Sequence, residues 1–373
     1  MIMSGCTKKG WWIMNSAQSS PGVHTLNEIL SQPGCWQECL SALEGSGRLD
    51  EIARRLAPGG DLLFVGCGSS YYIALAAAAS WSRLTGLCAR AVPASEILLF
   101  PDLVLTGENR CQPILISRSG RTSEVLKAAE YLESTRQIPT VAISCSAGQP
   151  LQARCSSSIN LPSADEKSTV MTRSFSSMLL GLQALAAAVA GKRDFIDALG
   201  RVSVAMQTAL AAIVPQVGGF VQVNEFSDYI FLGQGPFFGI ASESHLKVKE
   251  MSCSSSQCYH SLEFRHGPMS IVQPDTLVTF FLSESAYKAE REVLEEMKEL
   301  GARILVVANT ADERVRSAAD LLIELNLDVP EFARLGGYVI AGQLLGYYTA
   351  LKKGMDPDNP RFLSRVVILD QES

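Results

Sequence analysis

Glu243, Lys247 and Glu250 fall at i, i+4 and i+7 of a helical stretch, so two carboxylates and an amine share one face. A polar loop then returns the chain to His266, held in a tight Arg-His-Gly-Pro turn. A carboxylate beside a lysine, with a histidine brought back by a loop, supplies the parts for moving a proton between adjacent carbons. Taken alone, Glu-x-x-x-Lys-x-x-Glu more often means a solvated, ion-paired helix face. The other histidines are His24, His245 and His260, and only His266 lies in so stiff a turn.

A second group of capable side chains is Ser117-Arg118-Ser119-Gly120-Arg121-Thr122, placed where an apolar strand hands over to a helix. Three hydroxyls, a glycine and the free N–H groups of a helix N-terminus converge there, with ~+0.5 charge from the helix dipole. That composition suits a phosphate monoester. The plain alternative is that Ser119 or Thr122 caps the helix. Another strand ends in Gly66-Cys67-Gly68-Ser69-Ser70, but Tyr71 occupies the third-glycine position of a dinucleotide fingerprint. There is no G-x-x-x-x-G-K-[ST] loop for a nucleoside triphosphate either.

The elements that must position these groups occur twice. Residues 61–74, DLLFVGCGSSYYIA, match 228–241, DYIFLGQGPFFGIA, at an offset of 167, and PILISRS at 113–119 sits opposite TFFLSES at 279–285. Helices over Thr122–Leu132 and Tyr287–Leu300 follow, then further strands in PTVAISCS and ARILVVANT. Strands alternating with helices imply parallel sheets covered on both faces. The expected fold class is α/β: two tandem units, each a parallel-sheet α/β/α sandwich, with a helical lead-in and a C-terminal tail. The boundaries read as 1–57 for the N-terminal segment with helices over Leu26–Ala57 broken at Pro33, 58–193 for the first unit, and 194–218 for a helical connector. The second unit is 219–351 and the tail 352–373, with a strand-like run at Val366–Leu369. In the second copy Glu284 and Ala286 replace Arg118 and Gly120. Repulsion from Glu284 argues for one substrate pocket and one supporting partner.

The chain has 373 residues, 47% hydrophobic and 19% charged, as expected of a globular protein with a well-filled core. A net charge of −6 offers no basic face for nucleic acid or anionic lipid. The alanine-rich runs at 74–79 and 185–190 are too short to span a bilayer, and the N-terminus lacks the apolar core of a signal peptide. Residues 1–20 are expected to be poorly ordered, with Met14 a candidate natural start. Ten scattered cysteines form no CxxC pair, which suits a reduced cytoplasmic protein with small buried thiols rather than a zinc site.

Six motifs stand in order along nearly the whole chain from Thr25: GCGSS, ISRSGRTSE, EKSTVMTRSF, LKVKEMS, EFRHGP and NPRFLSRVV. Together they resemble the sugar isomerase (SIS) domain family. The resemblance extends to the isomerase half of glutamine–fructose-6-phosphate aminotransferase and to the tagatose-6-phosphate ketose/aldose isomerase-like amino-sugar-phosphate deaminase/isomerases. It implies Ser70, Ser117, Arg118, Ser119 and Thr122 around a substrate phosphate, beside Ser69, with Cys67 and the stretch Thr169–Met171 lining the sugar. It further implies Glu250 as the base working between C1 and C2, Lys247 beside it, and His266 assisting ring opening in the neighbouring subunit's pocket, hence a homodimer.

Two departures shape the expected reaction. The family's synthase has an amidotransferase half with an N-terminal cysteine nucleophile, absent from this sequence, so ammonia release or aldose–ketose interconversion is expected rather than glucosamine phosphate synthesis. Arg365 stands where the synthase has a Schiff-base lysine; a guanidinium stays protonated and cannot form that imine, though it can bind a sugar oxygen. The resemblance calls for no metal, nicotinamide or pyridoxal cofactor. It also leaves a non-catalytic reading, a sensor that binds a sugar phosphate and regulates a partner; the retained Glu250 and His266 favour the enzyme.

Overall fold

The computed structural model describes residues 20–56, 60–106 and 111–369. Met14 and all but the last of residues 1–20 lie outside the described residues. The lead-in folds as α1 (Val23–Leu30), α2 (Gln32–Gly45) and α3 (Arg48–Leu56). The first break comes at Ser31, and Pro33 sits in the opening turn of α2, where its missing N–H is harmless.

The chain then runs β1 (Leu62–Gly66), α4 (Ser69–Thr85), β2 (Ala89–Pro93), two short helices α5 (Ala94–Leu99) and α6 (Pro101–Val104), and β3 (Gln112–Ile116). It continues through α7 (Ser123–Glu130), β4 (Val141–Ser144), α8 (Pro150–Arg154), β5 (Ser157–Asn160) and α9 (Arg173–Val189). The connector is one helix, α10 (Arg193–Val223), longer than expected and continuous through Pro215. The second unit repeats the pattern as β6 (Asp228–Gly233), α11 (Phe237–Ser252), β7 (Ser256–Tyr259), β8 (Thr276–Phe281), α12 (Tyr287–Glu299), β9 (Arg303–Ala308), α13 (Glu313–Ala318), β10 (Leu321–Glu324) and α14 (Leu335–Lys352).

Two five-stranded sheets result, ordered β2-β1-β3-β4-β5 and β10-β9-β8-β6-β7, and every pairing is parallel. Side-chain alternation divides the cores. Leu62, Phe64, Ile114 and Ile116 of the first sheet share one core with Tyr229, Phe231, Leu277 and Phe281 of the second, filled by α4, α9, α10, α11 and α14. The opposite faces, Leu63 and Val65 in one sheet and Ile230 and Leu232 in the other, pack into separate outer cores. By length and composition α10 could cross a membrane. Its buried stripe, including Leu199, Met206, Ile213 and Val217, instead packs into the shared core.

Strand order reverses between β1 and β3 in the first sheet and between β6 and β8 in the second. Crevices at such switch points, beyond the carboxyl ends of the strands, are where open parallel sheets bind ligands.

Candidate functional site

At the first crevice β1 ends in Gly66-Cys67-Gly68. A Cβ on Gly66 would lie 2.5 Å from the carbonyl carbon of Ser70, and Gly68 has φ 54° and ψ −128°, so both positions need glycine. The second copy repeats both constraints at Gly233 and Gly235, which is why G-x-G survives the duplication. Ser69 and Ser70 begin α4 and are buried, and Cys67 is half-buried, its thiol pushed up to about 11 by burial.

Across the switch point, Ser117 is buried and its Oγ lies 3.0 Å from Oγ1 of Thr122. Thr122 occupies the N-cap position of α7, yet its hydroxyl makes no capping bond. Ser119 Oγ accepts the N–H of Arg121 at 3.2 Å. The capping alternative therefore does not describe these hydroxyls. The N–H of Ser123 donates to the carbonyl of Val367 at 3.3 Å. The run Val366–Leu369, expected as strand-like, is no strand but a strap across the start of α7, with the Leu369 N–H donating to Ser123 Oγ at 3.0 Å. Beside the strap a hollow of about 540 Å³ is lined by Arg121, Ser123, Leu126, Lys127, Ile368 and Leu369, among others.

Arg118, expected at the phosphate, is spent on the protein itself. Its buried guanidinium donates to the carbonyls of Thr169 (2.8 Å), Arg365 (2.9 Å) and Val170 (3.3 Å), and pairs with Glu166 at 3.3 Å. It thus ties the loop after β3 to the Thr169–Met171 stretch and to the tail. Arg365 places its own guanidinium on Asp165 at the surface. Two residues that sequence reasoning missed brace the same stretch. Glu166 accepts from the N–H and hydroxyl of Thr172 at 2.7 and 2.8 Å, and Glu28, from α1, accepts from the N–H and hydroxyl of Ser168. A glutamate followed by a Ser/Thr-rich run is a visible signal for Glu166; Glu28 has none, because its partner is far along the chain.

The acid–base cluster is not a solvated helix face. Glu243 and Lys247 on α11 have side chains fully buried, while that of Glu250 is 20% exposed. Lys247 Nζ lies 2.5 Å from Glu250 Oε2 and 3.2 Å from Glu243 Oε1. Ser69, from the first unit, closes the group: its Oγ accepts from Lys247 at 3.2 Å and donates to Glu243 at 3.1 Å. Burial pushes the Glu243 carboxyl up to about 8, with Lys247 opposing and Glu250 reinforcing the rise. Lys247 is itself held above its ordinary range, because the two carboxylates outweigh the effect of burial on the ammonium. Glu250 is the one charged member of the cluster whose side chain reaches solvent.

His266 is not brought to this cluster within the chain. It is exposed, in the turn after Phe264, and Phe264 belongs to the outer core of the second sheet, where Arg265 clasps Glu296 of α12 by two 2.7 Å bonds. Glu250 lies on α11, against the opposite face. Among the nine described cysteines none is in a disulfide; Cys35, Cys39 and Cys145 are buried, whereas Cys88 and Cys253 are exposed, so the thiols are less uniformly buried than expected.

The second crevice is already filled by the chain. The loop after β8 presents the N–H groups of Glu284 and Ser285 and the Ser285 hydroxyl to the carboxylate of Glu331, at 2.6, 3.2 and 2.7 Å. Glu284 does not merely repel; it pairs with the buried Arg334 at 2.7 Å.

Comparison with known proteins agrees with this architecture. The SIS domain profile matches residues 56–188 and 227–341. The glutamine–fructose-6-phosphate aminotransferase [isomerizing] of Methanothermobacter thermautotrophicus is 26% identical over 96% of this chain and 60% of its own length. That of Pseudomonas aeruginosa is 26% identical over 92% and 58%. The chain thus spans about 60% of the length of such relatives. Among solved structures, the glucosamine-6-phosphate deaminase of Thermotoga maritima superposes with a TM-score of 0.73 at 28% identity, covering 93% of this chain and all of the other. The tagatose-6-phosphate ketose/aldose isomerase of Escherichia coli gives 0.79 at 23%, covering 94% and 97%.

Proposed function

This chain belongs to the SIS domain family, and we propose that it is a sugar-phosphate isomerase or amino-sugar-phosphate deaminase acting on a hexose or hexosamine 6-phosphate. The observation that carries the reading is the Ser69–Glu243–Lys247–Glu250 junction, which sets the acid–base group of the second unit at the lip of the first unit's switch point. The phosphate sits on the hydroxyls of Ser117, Ser119 and Thr122 and on nearby N–H groups. The duplicated loop supports this, since Ser285, the counterpart of Ser119, already holds a carboxylate.

With the phosphate anchored, Glu250 takes the proton from C2 of the open-chain sugar and returns it at C1 through an enediol or enolamine. For an amino sugar, the resulting ketimine adds water at C2 and expels ammonia, leaving the ketose phosphate. Lys247 holds Glu250 in place through their 2.5 Å ion pair. His266 of the partner subunit protonates the ring oxygen as the ring opens, a role that fits its exposed position. The relatedness to the Thermotoga deaminase favours the deamination branch. Cytoplasmic location and homodimer formation complete the proposal.

The test is ammonia release from glucosamine 6-phosphate or galactosamine 6-phosphate by the wild type and by Glu250→Gln. Wild-type release, reduced ~10²–10⁴-fold in the variant, is expected for loss of a general base. A variant of near-full activity would remove Glu250 from its role. Sugar-phosphate binding without turnover, with aldose–ketose exchange also silent, would indicate the sensor instead.

A further inference from the structure

The second switch point has the parts of an anion site. It lies between the loop after β6, with Gln234, and the loop Ser283–Ala286 that opens onto the N-terminus of α12, a helix of thirteen residues. Arg334, 1% exposed, extends into this loop to reach Glu284, and its Nε has no hydrogen-bond partner. Gln234 Oε1 is also buried without a partner. A buried guanidinium with an unmatched donor is costly unless an anionic environment offsets it.

The anions present are internal, and two of them hold the loop. Buried Glu290 of α12 accepts from the N–H and the hydroxyl of Ser283 at 2.8 and 2.6 Å and leaves the Glu284 and Ser285 donors to a second carboxylate. Glu331 lies in the 3₁₀ turn Glu331–Arg334, one turn before α14, and reaches back so that one oxygen accepts from two loop N–H groups while the other accepts from Ser285. Glu284 and Ser285 correspond to Arg118 and Ser119 in the first copy.

We propose that the second crevice is an anion-binding site kept closed by the carboxylate of Glu331, so that the chain offers one open phosphate site and one plugged site. The plug is partly exposed and held by hydrogen bonds rather than by packing, which makes it removable without disturbing the buried core. Arg334 then offsets the charge of Glu284, which would otherwise oppose an incoming phosphate.

The experiment compares binding of inorganic phosphate by the full-length wild type and Glu331→Ala, using equilibrium dialysis of labelled phosphate to count equivalents per chain. The variant is expected to gain one equivalent over the wild type, whatever number the wild type binds, so the result is independent of the first crevice. Adding Ser285→Asp to Glu331→Ala restores a carboxylate to the loop and should abolish the gain. A folded Glu331→Ala chain that binds the same number as the wild type overturns the proposal, as does a gain that survives Ser285→Asp. If Glu331→Ala does not fold, Glu331→Gln removes the charge while keeping an acceptor on Ser285. It should then show the same gain at weaker affinity, and its absence counts equally against the plug.

Discussion

Glu243 and Glu250 compete for one ammonium in a place where water supplies almost no screening. The competition is resolved by depth: Glu243, fully buried, is held with its carboxyl raised to about 8, while Glu250 keeps the shortest contact to Lys247 and some exposure. Between pH about 4.5 and about 8 the folded chain therefore carries a proton on Glu243 that the unfolded chain lacks. Folded-state stability should fall as pH rises through this window, by up to about 1.4 kcal/mol per pH unit for one proton. Glu243→Gln imitates the protonated carboxyl, and its urea unfolding should be flatter over the same range. Parallel pH profiles for the two proteins would show that Glu243 is ionised in the fold. Arg118, expected at the phosphate, presents a different case, because its guanidinium contacts the protein's own carbonyls and Glu166. Arg118→Met leaves the buried Glu166 without its cationic partner and should lower stability by about 3 kcal/mol. Arg118→Lys should not rescue it, since a single ammonium cannot span carbonyls at residues 169, 170 and 365. A loss of phosphate affinity at unchanged stability would return Arg118 to the ligand set.

At the scale of elements, α11 matters most, because it carries Lys247 and Glu250 and is gripped on two sides. A Cβ at Gly239 would meet the backbone of α4 at 2.8 Å, and one at Gly346 would lie 2.9 Å from the backbone of Lys247 itself. Gly346→Ala must push α14 and α11 apart at Lys247, the residue proposed to position the base. Displacements of that order cost about 10²-fold in rate, so on the proposed mechanism turnover should fall by roughly that factor while the KM for the sugar phosphate, which that proposal sets at the loop after β3, changes little. A KM that rises in step with the fall in turnover would mean that the phosphate loop depends on α11 packing. The strands and helices themselves were legible, because apolar strand, G-x-G, helix occurs twice at one offset and each glycine has a local steric reason. The contact of Ser69 with Lys247 was not, since it joins residues 178 apart through two helices whose close approach depends on glycines with no motif. The tail misled for a related reason: Val366–Leu369 has the composition of a strand, but no sheet edge is offered to it, and its carbonyl and N–H go to Ser123 instead.

Over the whole molecule, the two units are closed on each other by a shared core and by their ends: Asp356 and Asp358 accept from the N–H groups of Gly22, His24 and Thr25 that begin α1. That closure fixes the faces of both sheets: Phe264, two residues before the exposed His266, packs in the outer core of the second, while α11, which carries Glu250, packs in the inner one. The proposed role of His266 in another copy's pocket can be put as arithmetic. Glu250→Gln and His266→Ala are each expected to be inactive on a cyclic hexosamine phosphate. When equal amounts are unfolded and refolded together, about half of the dimers are mixed, and one of the two pockets in each has an intact Glu250 and an intact partner histidine. The mixture should thus recover about one quarter of wild-type activity, rising from near zero with refolding and absent when the proteins are refolded apart. Recovery fails if His266 serves its own chain, because every pocket then lacks one of the two groups, and an inactive mixture of demonstrable mixed dimers would place the ring-opening acid elsewhere.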